Sequence, residues 1–327
     1  MTTARRFQDI DLSNLPLPPA IEGLDYEATL AQRLAEFQAR WDRVREEFPD
    51  LPEYDVSMLE TDPVVIVEQA NSYHEMLLRG RVNDAVRAVM LATSWGENLD
   101  HLGARVGATR LDNEADNPFR RRIQLAYEAL STAGPYGGYV WHALSAHPGI
   151  RDAASYGPEE DFVEPGEAWV TLLASPGNGS PTTQMMMAVA DRLAAWEIRM
   201  GGAPVNVWDA EKARQQKARP LTDKVIIDAA EILTYQVQAT IVVLPGPDPR
   251  VIRDEAVKRL QALADARHRI GGLVSTSLIK SALHVLNADG SSDVDTVTLH
   301  SPLADVGGQS RAAPFCTGID VTLEIAS

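Results

Sequence analysis

The stretch Asp62–Gly107, DPVVIVEQANSYHEMLLRGRVNDAVRAVMLATSWGENLDHLGARVG, restricts the folds open to this chain more than any other. It reads as one long helix, a break at Gly96 and a short second helix ending near Gly107. Asp62 is a suitable N-cap, its carboxylate accepting from an otherwise unpaired first-turn N–H, and Pro63 at N1 loses nothing by lacking that group. Ile66, Ala70, Tyr73 and Leu77 follow helical spacing, and a second line, Leu78, Val82, Ala85 and Val89, takes over beyond Gly80. Two displaced stripes on one helix imply burial against more than one neighbour. Arg79, Arg81, Asn83, Asp84 and Arg87, lying between them, are hydrogen-bonding types rather than nucleophiles. The stretch is therefore expected to pack and dock.

Residues 1–24 carry Pro16, Pro18 and Pro19 with little periodicity and read as an extended arm. Asp25 can cap a helix from Tyr26 to about Phe48. Its apolar positions Tyr26, Leu30, Leu34, Phe37, Trp41, Val44 and Phe48 advance in steps of three or four, close to a heptad seam. Such a seam packs either on its own chain or against other chains, and the narrow stripe with large aromatics is compatible with sharing. Pro49 and Pro52 end the helix.

After Gly107 a polar connection leads to a helix from Pro118 to about Leu130, with Phe119, Ile123 and Tyr127 on one face. The run Arg120–Arg121–Arg122 is expected to be a solvated helix face. A turn at Gly134–Gly138 precedes another helix around Tyr139–Ala146, so the first 147 residues read as all-helical. Composition changes at His147–Pro148–Gly149, taken as a domain boundary. Beyond it, Asp152–Tyr156 and Ala168–Ala174 are predicted to pair across an acidic loop. A helix opened by Pro181 should bury Met186, Val189, Leu193 and Trp196. Strands at Val225–Ala229 and Tyr235–Leu244 precede a helix capped by Asp248, which should bury Ile252, Ala256, Leu260 and Leu263. The β-β-α order thus appears twice, at 150–200 and 222–268, as a weak internal repeat. A helix near Ser275–Leu286 and strands at Asp293–Leu299 and Gly318–Ile325 follow, the last alternating cleanly.

The 327 residues include 30 basic and 46 acidic side chains, a net charge of -16 that disfavours nucleic acid and anionic membrane as partners. Cys316 is the single cysteine, which excludes an internal disulfide or a thiolate-rich metal site. No apolar run reaches membrane-spanning length, and the N-terminus lacks an apolar signal core, so synthesis as a soluble cytoplasmic protein is expected. Seven histidines show no HExxH arrangement; His142 and His147 are too far apart for one helix face. Glu97 and Asp100 are better read as first-turn acids of the second helix than as a catalytic pair. The Glu159–Glu160–Asp161 loop lacks spaced calcium ligands. The string Gly177–Pro181 lacks the spacing and lysine of a phosphate loop. Met185, Met186 and Met187 read as core filler. No cofactor, metal or catalytic residue is expected.

LLRGRVNDAVRAVMLATSWGENLDHLGARVGATR at Leu77–Arg110 resembles the baseplate J-like family of contractile-tailed phages and related contractile injection particles. NPFRRRIQLAYEALSTAGPYGGYVWHALS at Asn117–Ser145 follows at the expected distance. ARPLTDKVII at Ala218–Ile227 looks like the family's Arg-Pro-Leu-Thr-Asp strand entry. The resemblance implies a structural wedge protein. Its N-terminal helices would form a bundle with a second copy and a smaller partner wedge protein. Its α+β domains would contact neighbouring wedges, the tail hub and sheath-proximal proteins in a ring that opens on sheath contraction. Trp95–Gly96–Glu97 and Gly80 depart from the family pattern at the helix junction.

The expected architecture is α+β: an arm (1–24), a helical wedge-core domain (25–147), a first α+β unit (148–218), and a second (219–327) ending in a closing β pair. The interface expected from seam, stripes and motif is Leu30, Leu34, Phe37, Trp41, Val44, Leu77, Leu78, Arg79, Arg81, Asn83, Arg87, Arg219 and Asp223. Location in a virion tail baseplate, assembled in the host cytoplasm, goes with that reading. A tail-associated hydrolase using Glu97 and Asp100, and a fibre-attachment subunit, are the alternatives.

Overall fold

A computed structural model describes residues 10–54, 59–131, 133–201, 203–216, 218–244, 248–285 and 292–326. It is an α+β protein whose contacts divide it into two compact units, Asp11–Arg105 and a larger one that includes everything from Val106 onward. Most of the extended arm, residues 1–9, and Leu286 at the expected end of the last helix lie outside the described residues.

The smaller unit is helical. After a short 3-10 turn at Leu12–Asn14, α1 spans Tyr26–Glu47 with Asp25 accepting from the Ala28 N–H. The second helix, α2, spans Pro63–Val89 with Asp62 accepting from Val64. α2 stops at Val89 because Met90 turns extended, and α3 (Gly96–Ala104) starts at Gly96, whose φ of 54° suits a glycine. The break therefore occupies 90–95 rather than Gly96 itself. α1 and α2 run antiparallel: Glu22, just before α1, meets Arg79 and Asn83 late in α2, whereas Arg33 meets Glu68 and Glu75 earlier in it.

The larger unit opens with α4 (Asp116–Ala129) and α5 (Tyr136–Leu144). Both pack on a five-stranded sheet of order β1-β2-β5-β3-β4. Its strands are β1 (Ile150–Tyr156), β2 (Glu167–Ala174), β3 (Glu197–Arg199), β4 (Val205–Asn206) and β5 (Lys224–Ala229). β1 and β2 form the expected antiparallel hairpin, and β5 runs parallel to both β2 and β3. β2 is buried from Ala168 to Ala174, which explains an apolar sequence interrupted only at Thr171. Leu125, Val140 and Leu144 from the helices share one core with Val170, Leu172 and Ile227 of the sheet, joined by α6 (Thr183–Leu193) through Met186, Val189 and Leu193. The boundary placed at 147–148 consequently falls inside a single hydrophobic core. α6 is capped by Thr182, and Trp196 lies beyond its end, stacked on Trp208 at 4.2 Å, near α7 (Ala210–Gln215).

A second sheet has the order β10-β6-β8, from β6 (Glu231–Val243), β8 (Val294–Ser301) and β10 (Ala312–Ile325). The helices α8 (Pro249–Arg267) and α9 (Thr276–Leu283) cover its apolar face, and a small ribbon joins β7 (Leu273–Val274) to β9 (Val306–Gly307). Tyr235, Val237, Ala239, Ile241 and Val243 of β6 alternate inward as expected. Two expectations fail here. The closing strands do not pair with each other: β10 runs parallel to β6 and β8 antiparallel, one on each side of it. The β-β-α repeat also dissolves, because β5 completes the first sheet while β6 is the centre of the second, with only Ala230 between them.

The two sheets are nonetheless tied. Asp152 accepts from Arg121 at 2.8 Å and from the Ile270 N–H at 3.0 Å, and Asp228 accepts from Arg311 Nε at 2.9 Å. Ala154, Leu173, Ala230, Ile270 and Ala313 form a shared apolar cluster. Arg122 is buried with its guanidinium on Glu114, so Arg121 and Arg122 are structural anchors and not the solvated face expected; Tyr127, expected inside, is exposed.

Candidate assembly surface

The face of α2 that meets α1 is unusually polar. Its buried residues are Val65, Ser72 and Asn83. Asn83 makes two bonds to the backbone of Glu22, its Nδ2 donating to the carbonyl at 2.9 Å and its Oδ1 accepting from the N–H at 3.1 Å. Glu75 accepts from Arg33 at 3.0 Å and from Arg79 at 2.6 Å, and those two hydrogen bonds hold its carboxyl below the usual range. Arg33 also donates to Glu68 at 2.7 Å. Arg87 pairs with Asp84 one turn away, and Arg81 is exposed.

The seam of α1 is half-buried at Leu30, Leu34, Phe37 and Trp41 and exposed at Val44. Part of it is closed by its own chain: Phe37 and Trp41 meet the Tyr54 ring at 5.1 and 5.5 Å, and the Trp41 indole donates to the Pro52 carbonyl. The Tyr54 hydroxyl in turn donates to Asp62, which pushes the phenol up to about 12. The aromatic end of the seam thus staples the linker to the start of α2.

Both apolar stripes of α2 point away from α1. Ile66, Val67, Tyr73, Leu77, Leu78, Val82 and Val89 are all at least half exposed, Leu78 at 68% and Val89 at 69%. A run of large apolar side chains of this extent along one helix is the mark of an interaction surface. Of the expected interface residues, Leu77, Leu78 and Arg81 are presented outward, while Asn83 is fully engaged inside the hairpin. Ile66, Tyr73, Val82 and Val89 belong with the outward set; the displaced stripe was the sequence signal for them.

Arg219 is internal and Asp223 half-buried. Arg219 is 9% exposed, donating from Nε to the Leu193 carbonyl at 3.1 Å and from Nη1 to the carbonyls of Pro220 and Asp223 at 2.9 and 2.8 Å. The Asp223 carboxylate accepts from the Tyr139 hydroxyl, whose pKa burial raises first and the carboxylate next. The pair shapes the entry to β5. Nε and Nη1 of the Arg219 guanidinium are thus committed to carbonyls of its own chain.

A family model described as the Baseplate J-like N-terminal domain matches residues 60–116, and one described as the Baseplate J-like central domain matches 131–229. Baseplate protein J of Escherichia phage P2 is 33% identical over 323 residues, covering 94% of this chain and 95% of the relative. The chain belongs to the baseplate J-like family. The N-terminal match of this baseplate J-like chain begins just before α2 and ends at the start of α4. Its central match ends at Ala229, the last residue of β5, where the first sheet is completed.

Glu97 lies exposed in the first turn of α3, where an acid favours the helix dipole, whereas Asp100, also exposed, falls one residue beyond that turn. Met185 and Met186 are buried against the first sheet, with Met187 beside them, as core filler. A cleft of about 640 Å³ beside α4 and the end of α8 is lined by Arg121, Arg151, Asp152, Asp265 and His268. There Arg121 is bonded to Asp152, and Arg151 to the Asp265 carbonyl at 2.6 Å. Among the described residues no group of three His, Cys, Asp or Glu could hold a metal ion, and no helix is long and apolar enough to cross a membrane.

Proposed function

We propose that the chain is a structural subunit of a contractile-tail baseplate wedge, acting through interfaces rather than through catalysis. The observation that carries this reading is the outward apolar stripe of α2, on a helix whose opposite face is already occupied by α1. A helix with two uncovered apolar lines accommodates further helices on both. In this reading they come from a second copy of the chain and from a smaller partner wedge protein. The α+β unit meets neighbouring wedges, the tail hub and sheath-proximal proteins in a ring that rearranges when the sheath contracts. Each contact can be modest because ring closure raises effective concentration. Assembly takes place in the host cytoplasm and the product resides in the virion tail. Membership of a structural family and the kinship to a protein named for the baseplate support this assignment.

The test is co-expression with the neighbouring tail proteins, followed by sedimentation. Leu78→Asp with Val82→Asp places two charges on the exposed stripe and should abolish co-purification while leaving the monomer folded. Leu34 and Trp41 are poorer choices, since their side chains also hold the hairpin. Full complex formation by the double variant would remove the stripe from the assembly surface.

A further inference from the structure

His268 closes α8 and stands between two clefts, of about 640 Å³ and about 370 Å³, both walled by it and by Asp265. We infer that His268 is a proton-operated catch between the two sheets. Uncharged, its ring holds the turn 268–272 against the first sheet; charged, it swings out beside Asp265 and frees that turn while both sheets stay folded. The inference rests on this joint alone and is independent of the assembly role of α2.

The seat of the neutral ring is defined on three sides. Nδ1 lies 2.8 Å from the Pro314 carbonyl of β10, and a carbonyl only accepts, so Nδ1 carries the hydrogen and Nε2 the lone pair. The ring lies over Gly179 in the loop after β2, where an added Cβ would stand 2.9 Å from Cε1 and Nε2. Phe315 packs against it with ring centroids 5.3 Å apart. Nε2 is buried, with no hydrogen-bond partner among the described residues. A proton added there would place a charge and an unmatched donor in an apolar seat. Burial accordingly holds the imidazole below its ordinary value of 6.5.

The clefts supply a second seat. Around the ring stand Arg151 and Asp152 on β1, Arg121 on α4 and Arg269 on the turn; β10 brings the Cys316 thiol, and residues 173–180 carry no ionisable group. Arg151 opposes a charge on the imidazole, whereas Asp265 and Asp152 favour it. Asp152 already accepts from Arg121 and the Ile270 N–H. Asp265 is exposed, one turn back on α8, where the carbonyl end of the helix also favours a cation. An imidazolium turned into either cleft gains water and that carboxylate, so the proton chooses between two seats. The turn it holds carries Ile270, whose side chain enters the apolar cluster shared by the sheets. Arg311–Asp228 and the Ala230 and Ala313 contacts tie the sheets independently of that turn, so its release leaves both sheets joined.

The experiment is NMR of the full chain with isotope-labelled histidine, combined with amide hydrogen exchange, from about pH 7 to about 5. At the upper end the His268 ring, assigned by His268→Gln, should be the Nδ1–H tautomer, and it should titrate below 6.5. Exchange of the Ile270 amide, corrected for the intrinsic effect of pH, should rise about tenfold in step with that titration, while Val170 and Ile241 keep their protection. In His268→Gln the Ile270 protection should lose this pH dependence, and in Asp265→Asn the ring should titrate at lower pH. If His268→Gln does not fold, through-bond assignment identifies the ring, and the Ile270 exchange and Asp265→Asn decide. An Nε2–H tautomer, Ile270 protection that ignores the ring's titration or persists in its pH dependence in His268→Gln, or simultaneous loss at Val170 and Ile241 overturns the catch. An unchanged titration in Asp265→Asn overturns the charged seat.

Discussion

Arg122 and Glu114 form a two-pronged ion pair with both side chains almost removed from water, Nε to Oε1 at 2.7 Å and Nη2 to Oε2 at 2.6 Å. The remaining donors reach the Thr109 carbonyl and the Ser145 hydroxyl, so one guanidinium ties the loop before α4 to the end of α5. Removing one member of such a pair strands a buried charge. Arg122→Ala should cost on the order of 3–5 kcal/mol in denaturant unfolding. Arg122→Lys should recover little, because an ammonium cannot face both oxygens. A loss below about 1 kcal/mol for Arg122→Ala would show that Glu114 finds another partner.

His142 links stability to pH. Burial, and then the charge of Arg192, hold its imidazole down to about 4 from 6.5. Arg192 Nε donates to Nδ1 at 3.3 Å, a bond that requires that nitrogen to be unprotonated. Between these values the unfolded chain binds the extra proton and the folded chain does not, so stability rises with pH across the interval. The contribution is complete above about pH 6.5 and is lost as pH falls through 4, amounting to roughly 3 kcal/mol at most. Urea unfolding of the protein and of His142→Asn from pH 7 to 4 should show a shallower acid slope in the variant.

Gly80 offers a gain. It lies within α2, and a Cβ there would meet Leu24 Cδ1 at 3.5 Å, an ordinary contact. Glycine inside a helix costs about 1 kcal/mol relative to alanine. Gly80→Ala should therefore raise the stability of the helical hairpin by up to that amount, measured by hydrogen exchange of α2 amides. A loss of protection would mean that Leu24 cannot accommodate the methyl.

Gly134 is the opposite case. Its positive φ and the nearby Pro220 ring both resist a side chain. Gly134→Ala should lower stability by about 1–3 kcal/mol. It should also displace the Leu221 turn, which proteolysis at that turn would register.

The local signals were legible. Asp25, Asp62 and Asp248 each cap the helix that their sequence announces, and β6 alternates as its residues do. The choice of partner strand was not. β5 and β6 follow one another with one residue between, yet β5 inserts between β2 and β3, a decision made by residues more than fifty positions earlier in the case of β2. The arginine run illustrates the same limit: Arg122 looks solvated until Glu114 and Ser145 are brought to it by folding. In α2 the apolar stripes were visible, but their direction depended on Asn83 and Glu75 being the residues that Glu22 and Arg33 engage.

The position of β6 also orders events during synthesis. It becomes the middle strand only after α8, α9, β8 and finally β10 have been made, so both its edges stand open while the ribosome works through them. Its apolar face waits less, because α8 follows directly and brings Ile252, Ala256 and Leu260 to cover it. The α1–α2 hairpin closes within one local run of chain and needs nothing downstream. A nascent chain can therefore display the outward apolar stripe of α2 while its second sheet is still unfinished.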